Sequence, residues 1–222
     1  MKRFLRDNGI GLGFGLAFLV VLVAQSFAGW AAFNQQQISD HLGEIGYFDY
    51  LTSASFAVDV SENWQSEYLQ FSLYIAALVW LVQRGSPDSK KVEHVGVGSD
   101  EDERLGRFAE VDSPGPVHAG GWRLRLYSNS LVLVMGGIFF LSWFVQSVTG
   151  NAAFNAEQLA SLQRPQSWLE YLASADFWNR TFQNWQSELL AVGSMSVLAI
   201  YLRQRGSPES KDVGAPHSET GS

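Results

Sequence analysis

The stretch Asn63-Trp64-Gln65-Ser66-Glu67 returns unchanged as Asn184-Trp185-Gln186-Ser187-Glu188. A second stretch, Gln83-Arg84-Gly85-Ser86-Pro87, returns as Gln204-Arg205-Gly206-Ser207-Pro208. Both recur at an offset of 121 residues, the difference between positions 63 and 184, and Gln25-Ser26 matches Gln146-Ser147 at the same offset. The sequence therefore predicts one fold unit written twice, with a first two-span repeat at 1–91 and a second at 122–213.

Each predicted repeat contains two stretches without a charged side chain. These stretches cover residues 8–39 and 68–83 in the first repeat, and 126–156 and 189–202 in the second. The longer stretch of each repeat can cross a bilayer, which needs about 20 apolar residues. Each shorter stretch runs into an arginine followed by Gly-Ser-Pro, a pattern typical of a helix end. We expect an all-α integral membrane protein with four transmembrane helices in two tandem parallel two-helix repeats.

The distribution of basic residues predicts the orientation of these spans. With both termini and the central linker inside, 13 of the 15 Lys and Arg residues lie inside, and only Arg164 and Arg180 lie outside. The positive-inside rule then favours an N-in/C-in topology. In this orientation the net charge of −7 arises at the outer face. No nucleic acid is expected among the partners.

The first residues imitate a secretory signal peptide, because Met1-Lys2-Arg3 precedes an apolar run and Ser26-Phe27-Ala28 resembles a cleavage site. The apolar run is longer than the 7–15 residues usual for a signal peptide. Its repeat partner also lies in the middle of the chain. We therefore expect an uncleaved membrane anchor.

Composition separates the repeats from two polar segments. Residues 92–121 contain Gly, Ser, Pro and the run Asp100-Glu101-Asp102-Glu103, which predicts an acidic cytoplasmic linker. Residues 214–222 are predicted to form a flexible tail. Small residues let helices approach closely in lipid. The predicted packing positions are Gly11, Gly15, Gly136 and Gly137, and the expected partners are the lipid bilayer and either a second copy or other membrane proteins.

The segment before each shorter span has its own helical pattern. Ser55 and Asp176 occupy equivalent positions and are suitable N-cap residues. Phe56, Val60 and Trp64 are spaced by four. This stripe either lies on the outer surface of the membrane or extends the following span, and extension is the simpler interpretation.

Residues that recur in both repeats define a candidate polar cluster near the outer membrane edge. Its members are Gln25, Ser26, Asn63, Gln65, Glu67, Gln146, Ser147, Asn184, Gln186 and Glu188. One interpretation is that Glu67 and Glu188 form a pseudo-symmetric pair along a cation or proton path. The structural alternative, which we favour, makes Trp64 and Trp185 interfacial anchors, leaves both glutamates in headgroup water and uses Gln25 and Gln146 to bridge helices.

No pattern in the sequence predicts an enzyme, a cofactor or a metal site. The chain contains no cysteine, which excludes thiolate chemistry. His41, His94, His118 and His217 have no metal-ligand spacing. No serine lies in a Gly-x-Ser-x-Gly motif.

The motif Arg6-Asp7-Asn8-Gly9, the paired Asn-Trp-Gln-Ser-Glu and Arg-Gly-Ser-Pro motifs and the ending Ala215-Pro216-His217-Ser218-Glu219-Thr220 resemble the DUF6766 family over the whole chain. The resemblance implies a multi-pass protein of the bacterial inner (cytoplasmic) membrane and implies no activity. We therefore expect a non-enzymatic protein with a structural or accessory role. The alternative is a small cation or proton conduit that uses Glu67 and Glu188.

Overall fold

A computed structural model describes residues 2–221, and this part of the chain is helical and contains no strand. Met1, the first residue of the predicted first repeat, and Ser222, the last residue of the predicted tail, lie outside the described residues. The α-helices of the described part are α1 (Lys2–Asp7), α2 (Gly9–Ser39), α3 (Tyr47–Leu51), α4 (Ala54–Trp80), α5 (Gly115–Ala119), α6 (Gly121–Ser128), α7 (Ser130–Ala160), α8 (Trp168–Leu172) and α9 (Ala175–Tyr201).

The bounds of three helix pairs differ by the same offset as the sequence matches. Adding 121 to the bounds of α2, α3 and α4 gives the bounds of α7, α8 and α9. The linker between the two sets contains short 3-10 turns at Val92–His94 and Gly106–Phe108, followed by α5.

An asparagine separates each of the two longest helices from the short helix that precedes it. The side chain of Asn8 donates to the Phe4 carbonyl at 2.9 Å, and that of Asn129 donates to the Arg125 carbonyl at 2.8 Å. Asparagine side chains compete with backbone groups for such bonds, which favours a helix boundary. This explains why α2 and α7 begin directly after these two residues.

The two longest helices also end in the same way. The backbone N–H of His41 donates to the Ile38 carbonyl and that of Leu42 to the Gln37 carbonyl, and the same pair of bonds closes α7 around Leu162. These bonds form a Schellman motif, in which the residue after the helix takes a left-handed conformation. His41 and Leu162 accordingly have φ angles of +60° and +56°.

The helices α4 and α9 are continuous over 27 residues each. They therefore include the amphipathic stripe as an extension of the following segment. The predicted N-caps Ser55 and Asp176 are wrong by two residues, because the Oγ of Ser53 accepts from the Phe56 N–H and the Oγ of Ser174 does the same in α9, both at 3.2 Å. A serine two positions earlier meets the N3 amide, which an N-cap must reach.

Two helices of the described part are long and apolar enough to cross a membrane. They are α2 and α7, each of 31 residues, with mean hydropathies of 2.2 and 2.0 over their most apolar 18 residues. The 27-residue helices α4 and α9 do not reach this level, because they carry polar residues such as Glu62 and Glu188.

The chain divides into two compact units. One comprises Met1–Ser61 and Val145–Phe177, and the other Glu62–Phe144 and Trp178–Ser222. The core of the first unit contains the buried side chains Tyr50, Val58, Tyr171 and Phe177. In the second unit the buried apolar residues include Phe139, Ala199 and Ile200.

The repeated Gln-Arg-Gly-Ser-Pro motifs close α4 and α9 with the same turn. The Gln83 N–H donates to the Ser89 Oγ at 2.9 Å, and the Gln204 N–H donates to the Ser210 Oγ at 2.9 Å. Gly85 and Gly206 take φ angles of +84° and +83°, a conformation that favours glycine.

The segment 212–221 covers the first of these turns. The Gly85 N–H donates to the Thr220 Oγ1 at 2.8 Å, and the Gly221 N–H donates to the Ser86 carbonyl at 3.1 Å. A Cβ added at Gly85 would collide with the His217 carbonyl, whereas one at Gly206 would meet nothing within 4 Å. The predicted flexible tail at 214–222 therefore makes specific contacts, and its mobility in solution stays a prediction.

A buried lysine organises the same segment. Lys211 donates to the carbonyls of Pro216, His217 and Glu219 at 3.1–3.2 Å. The imidazole Nδ1 of His217 lies 3.0 Å from the Ile200 carbonyl. An ammonium group has three donors, and all three of these bonds go to backbone oxygens.

Candidate functional site

Two connecting loops are held by repeated serines of the predicted cluster, Ser26 in α2 and Ser147 in α7. We call residues 40–53 the first connecting loop and residues 161–174 the second connecting loop. The Oγ of Ser26 lies 2.7 Å from the Tyr47 hydroxyl, and the indole N–H of Trp168 donates to the Ser147 Oγ at 3.1 Å. Because 47 and 168 differ by 121, the two serines fasten equivalent aromatic side chains.

An asparagine in each long helix fixes the backbone of the loop that follows. The Ile45 N–H donates to the Asn34 Oδ1 at 2.9 Å, and the Asn34 Nδ2 donates to the Ile45 carbonyl at 3.0 Å. Asn155 makes the same two bonds to Gln166, both at 2.8 Å. These residues were missed at the sequence level, although Phe33-Asn34 recurs as Phe154-Asn155 and could have identified them.

A tyrosine from each loop packs against a glycine of the long helix. A Cβ at Gly150 would lie 2.6 Å from the Tyr171 hydroxyl oxygen, and one at Gly29 would overlap the Tyr50 hydroxyl. Tyr171 donates to the Asp176 carboxylate at 3.1 Å. Burial, and then the charge of Asp59, raise the pKa of the Tyr50 phenol. The repeat of Tyr50-Leu51 as Tyr171-Leu172 was the available signal for these positions.

The second connecting loop has a capping box that begins α8. The Ser167 Oγ accepts from the Glu170 N–H at 3.3 Å, while the Ser167 N–H donates to the Glu170 carboxylate at 2.7 Å. Arg164 also donates to Glu170 at 2.8 Å. The bonds to Ser167, followed by the charge of Arg164, lower the pKa of the Glu170 carboxyl.

In the second compact unit the indole of Trp185 and the buried amide of Gln65 link two helices. The indole N–H of Trp185 donates to the Gln65 Oε1 at 2.7 Å. Gln65 is fully buried, and its Nε2 has no hydrogen-bond partner among the described residues. The Ser66 Oγ, also buried, donates to the Asn63 carbonyl at 2.9 Å. The helices α4 and α9 are therefore joined by a polar contact on which the Gln65 side is fully buried.

An ion pair and a buried hydroxyl lie on the same two helices. Arg180 donates to Glu62 at 3.3 Å, and both side chains are partly buried. Thr181 is fully buried, and its hydroxyl has no partner among the described residues. Sequence comparison of the repeats missed this pair because the equivalent of Glu62 is Gln183. Burying an unpaired charge is costly, so the ion pair reduces the cost of burying Glu62 and Arg180.

Aromatic rings surround the Trp185 indole. The Trp143 ring lies 5.8 Å from that of Trp185 and 6.0 Å from that of Trp178. Phe139 stacks on Trp143 at 5.6 Å, and Phe182 meets Trp185 edge to face at 5.8 Å. These distances lie within the range in which aromatic pairs add stability.

The remaining predicted cluster members differ in exposure and in hydrogen bonding. Glu67 is exposed and Glu188 half-buried. Asn184 donates to the Arg180 carbonyl at 3.0 Å, and Gln186 is exposed. The repeated motif therefore buries its glutamine in the first copy and leaves the equivalent glutamine exposed in the second.

The two repeated glutamines of the long helices also differ. Gln25 is half-buried, whereas Gln146 is fully buried and neither atom of its amide has a partner among the described residues. Of the predicted anchors, Trp64 is exposed and Trp185 is half-buried. A bridging role for the glutamines and an interfacial role for the tryptophans stay predictions.

The predicted packing glycines have open surroundings in the described part of the chain. No atom comes within 4 Å of a Cβ built at Gly11, Gly15 or Gly137, and Gly136 has one such neighbour, the Ser72 Oγ at 3.9 Å. Packing of these positions against another chain stays a prediction.

No group of three or more His, Asp or Glu side chains in residues 2–221 is arranged to hold a metal ion. The polar side chains described above form bonds that fix loops or join helices. Chemically, this arrangement supplies hydrogen bonds and two ion pairs. The buried amides of Gln65 and Gln146 and the Thr181 hydroxyl also have atoms without a partner among the described residues, and these atoms can bond to a further polar group.

Comparison with curated proteins and with solved structures gives no match. A family model described as a domain of unknown function, DUF6766, matches residues 1–222. Because this match covers the whole sequence, the chain belongs to the DUF6766 family.

Proposed function

We propose that the chain is a four-span integral protein of the bacterial cytoplasmic membrane, with a non-enzymatic structural or accessory role. The observation that carries this proposal is the exposure of the two apolar helices. Of their 18 most apolar consecutive residues, 6% are buried in α2 and 22% in α7. Side chains such as Ile10, Phe14 and Val21 expose more than half of their surface. An apolar area this continuous requires a lipid environment or a partner.

The lengths of α4 and α9 support a further two crossings. A helix of 27 residues is about 40 Å long. This exceeds the roughly 30 Å of the hydrocarbon core. Their polar side chains satisfy one another through Glu62 with Arg180 and Gln65 with Trp185, which reduces the cost of placing them in lipid.

The common offset of the helix bounds supports insertion of two similar repeats. An even number of spans in each repeat gives both repeats the same orientation, related by an axis along the membrane normal. The positive-inside rule then puts both termini in the cytoplasm.

The use of the recurring polar residues supports a structural role. Ser26, Asn34, Ser147 and Asn155 hold the connecting loops, and Gln65 joins two helices. We expect the partners to be lipid and either a second copy or other membrane proteins. Crosslinking in native membranes tests this role. A recurrent crosslinked chain is expected, whereas a chain that crosslinks to no protein contradicts an accessory role.

Topology reporters test the four spans. A reporter fused at Ser99 should lie in the cytoplasm, while one inserted at Gly43 should lie outside, and the protein should resist alkaline extraction from membranes. Gly43 is a suitable position because it is exposed and has open space around it. Reporters on the same side would overturn the topology, because the proposed topology has one span between positions 43 and 99.

A cation or proton conduit is the second candidate, and the equivalent positions of Glu67 in α4 and Glu188 in α9 favour it. Proteoliposomes under an imposed gradient and potential test it. Flux that disappears in Glu67→Gln and in Glu188→Gln, but persists in Glu170→Gln, would support a conduit because only the first two changes remove the paired carboxylates. Absence of flux in the parent protein would exclude it.

A further inference from the structure

A groove between α5 and α6 lies outside the polar residues described above. It has a volume of about 590 Å³ and is lined by Gly115, Pro116, Ala119, Trp122, Arg123, Leu126, Tyr127 and Ser130. Trp122 and Leu126 share one face of α6, since they lie at positions i and i+4, and Tyr127 also lines the groove. Trp122 is 71% exposed although it is the largest side chain there. The groove therefore presents an apolar surface that the described chain leaves uncovered.

One cation lines this apolar surface. The Arg123 guanidinium lies 5.7 Å from the centroid of the Trp122 ring. Among the described residues no carboxylate pairs with Arg123, because the ion pairs of the chain involve other arginines. An apolar groove beside an unpaired guanidinium has the chemistry to receive an amphiphile with a negative headgroup.

The position of the groove agrees with such a ligand. The helix α6 ends at Ser128, and the apolar helix α7 begins at Ser130. In the proposed topology this junction lies at the cytoplasmic boundary of the membrane, where tryptophan, tyrosine and arginine are typical.

We propose that the groove between α5 and α6 binds one anionic phospholipid of the cytoplasmic leaflet, with its phosphate on Arg123 and an acyl chain against Trp122, Leu126 and Tyr127. The proposal rests on the proposed membrane location. Arg125 provides a matched comparison, because it carries the same charge on the same helix and does not line the groove. A site predicts that the two arginines differ, whereas general attraction to an anionic surface predicts that they are equal.

Native mass spectrometry of the full chain, delipidated in detergent, tests this proposal. Phosphatidylglycerol and phosphatidylcholine with identical acyl chains are titrated separately. The parent protein should retain one phosphatidylglycerol with about a fivefold preference, the effect of one cation near a membrane surface. Arg123→Gln should abolish this preference, and Arg125→Gln should leave it within twofold. Ala119→Trp should weaken binding of both lipids because the indole fills the groove.

Three results would overturn the lipid site. They are equal retention of the two lipids by the parent, equal loss in the two arginine variants, and displacement of phosphatidylglycerol by glycerol phosphate, which would mean that the headgroup alone is bound. Thermal unfolding of each variant checks that it is folded. If the reporters support four spans and phosphatidylglycerol is not preferred, the lipid site fails and the proposed topology stands.

Discussion

The first and second connecting loops share the asparagine contacts to their backbone and differ in their other side-chain contacts. In both, an asparagine of the preceding helix binds the loop backbone and a tyrosine covers a glycine. Only the second adds the capping box of Ser167 with Glu170 and the ion pair with Arg164. At the serine and glutamate positions the first loop has Gly46 and Asp49. The comparison indicates that the bonds to backbone define the turn, while the surface contacts are additions to it.

The tyrosine on glycine contact should give the largest effect. Gly150→Ala places a Cβ 2.6 Å from the hydroxyl of the fully buried Tyr171, and Gly29→Ala overlaps Tyr50. Overpacking of this kind costs about 1–3 kcal/mol, so thermal unfolding in detergent should occur at a lower temperature in both variants. Gly137→Ala, which meets no atom within 4 Å, is the matched control. A lower unfolding temperature in only one of the variants Gly150→Ala and Gly29→Ala would contradict the proposed equivalence of the two loops.

The asparagine contacts should come next, with a difference between the loops. Asn155→Ala removes the partner of both the N–H and the carbonyl of Gln166. In the first loop the Ile45 carbonyl keeps a bond from the Trp30 indole at 2.8 Å. We expect Asn155→Ala to cost about 1–3 kcal/mol and Asn34→Ala less. Thermal unfolding of the two variants measures this, and equal losses of stability would contradict the role of Trp30.

The capping box should give a smaller effect that is restricted to the second loop. Ser167→Ala is expected to cost about 1 kcal/mol, the usual contribution of an N-cap side chain. Gly46→Ala in the first loop is its positional control. A Cβ at Gly46 would lie 2.9 Å from the Asp49 carboxylate, a flexible group that can move. Thermal unfolding of both variants should show a loss in the second loop alone.

The same capping box predicts a pH dependence. Because the folded pKa of Glu170 lies below its unfolded value, its contribution is complete above the unfolded pKa and is lost as the pH falls through the folded pKa. A carboxyl carbon NMR titration should therefore find Glu170 ionised to a lower pH than an ordinary glutamate. Ser167→Ala should raise the Glu170 pKa only part of the way to the usual range, because the N–H of residue 167 still donates to the carboxylate. An unchanged titration would exclude the Ser167 hydroxyl as a cause.

The left-handed residues should give the smallest effect, with the opposite sign. Leu162 has a φ of +56° and is 96% exposed, so Leu162→Gly relieves backbone strain without losing buried contacts. His41→Gly should act in the same way in the first loop, because His41 has a φ of +60° and is exposed. Each variant should gain about 0.5–1 kcal/mol in thermal unfolding experiments. Destabilisation of either one would show that its side chain has a contact in the membrane or with a partner.

The helical fold could be predicted from the sequence because it depends on local pattern. The uncharged stretches predicted an all-α chain with four spans; the described residues are helical and contain no strand, and two of their helices are long and apolar enough to cross a membrane. The other two spans stay a prediction. Helix ends were less accessible. Ser53 caps α4 instead of Ser55, because either serine satisfies the same residue preference and only the backbone decides which oxygen reaches the amide.

The site was harder to predict because repeat matching finds only residues that both copies retain. It identified Ser26, Gln65 and Ser147, which make structural hydrogen bonds. It could not identify the ion pair of Glu62 with Arg180, since neither residue has a charged counterpart of the same type 121 positions away. An ion pair that is formed once, between two helices, cannot be detected by matching the two repeats.

The bond between Gly85 and Thr220 joins residues 135 positions apart, and this separation affects synthesis of the protein. A ribosome adds about 5–20 residues each second, so roughly 7–27 s pass between the two residues. During this interval the turn after α4 has no cover from the segment 212–221. A nascent chain therefore offers chaperones and proteases an uncovered turn that the finished protein does not.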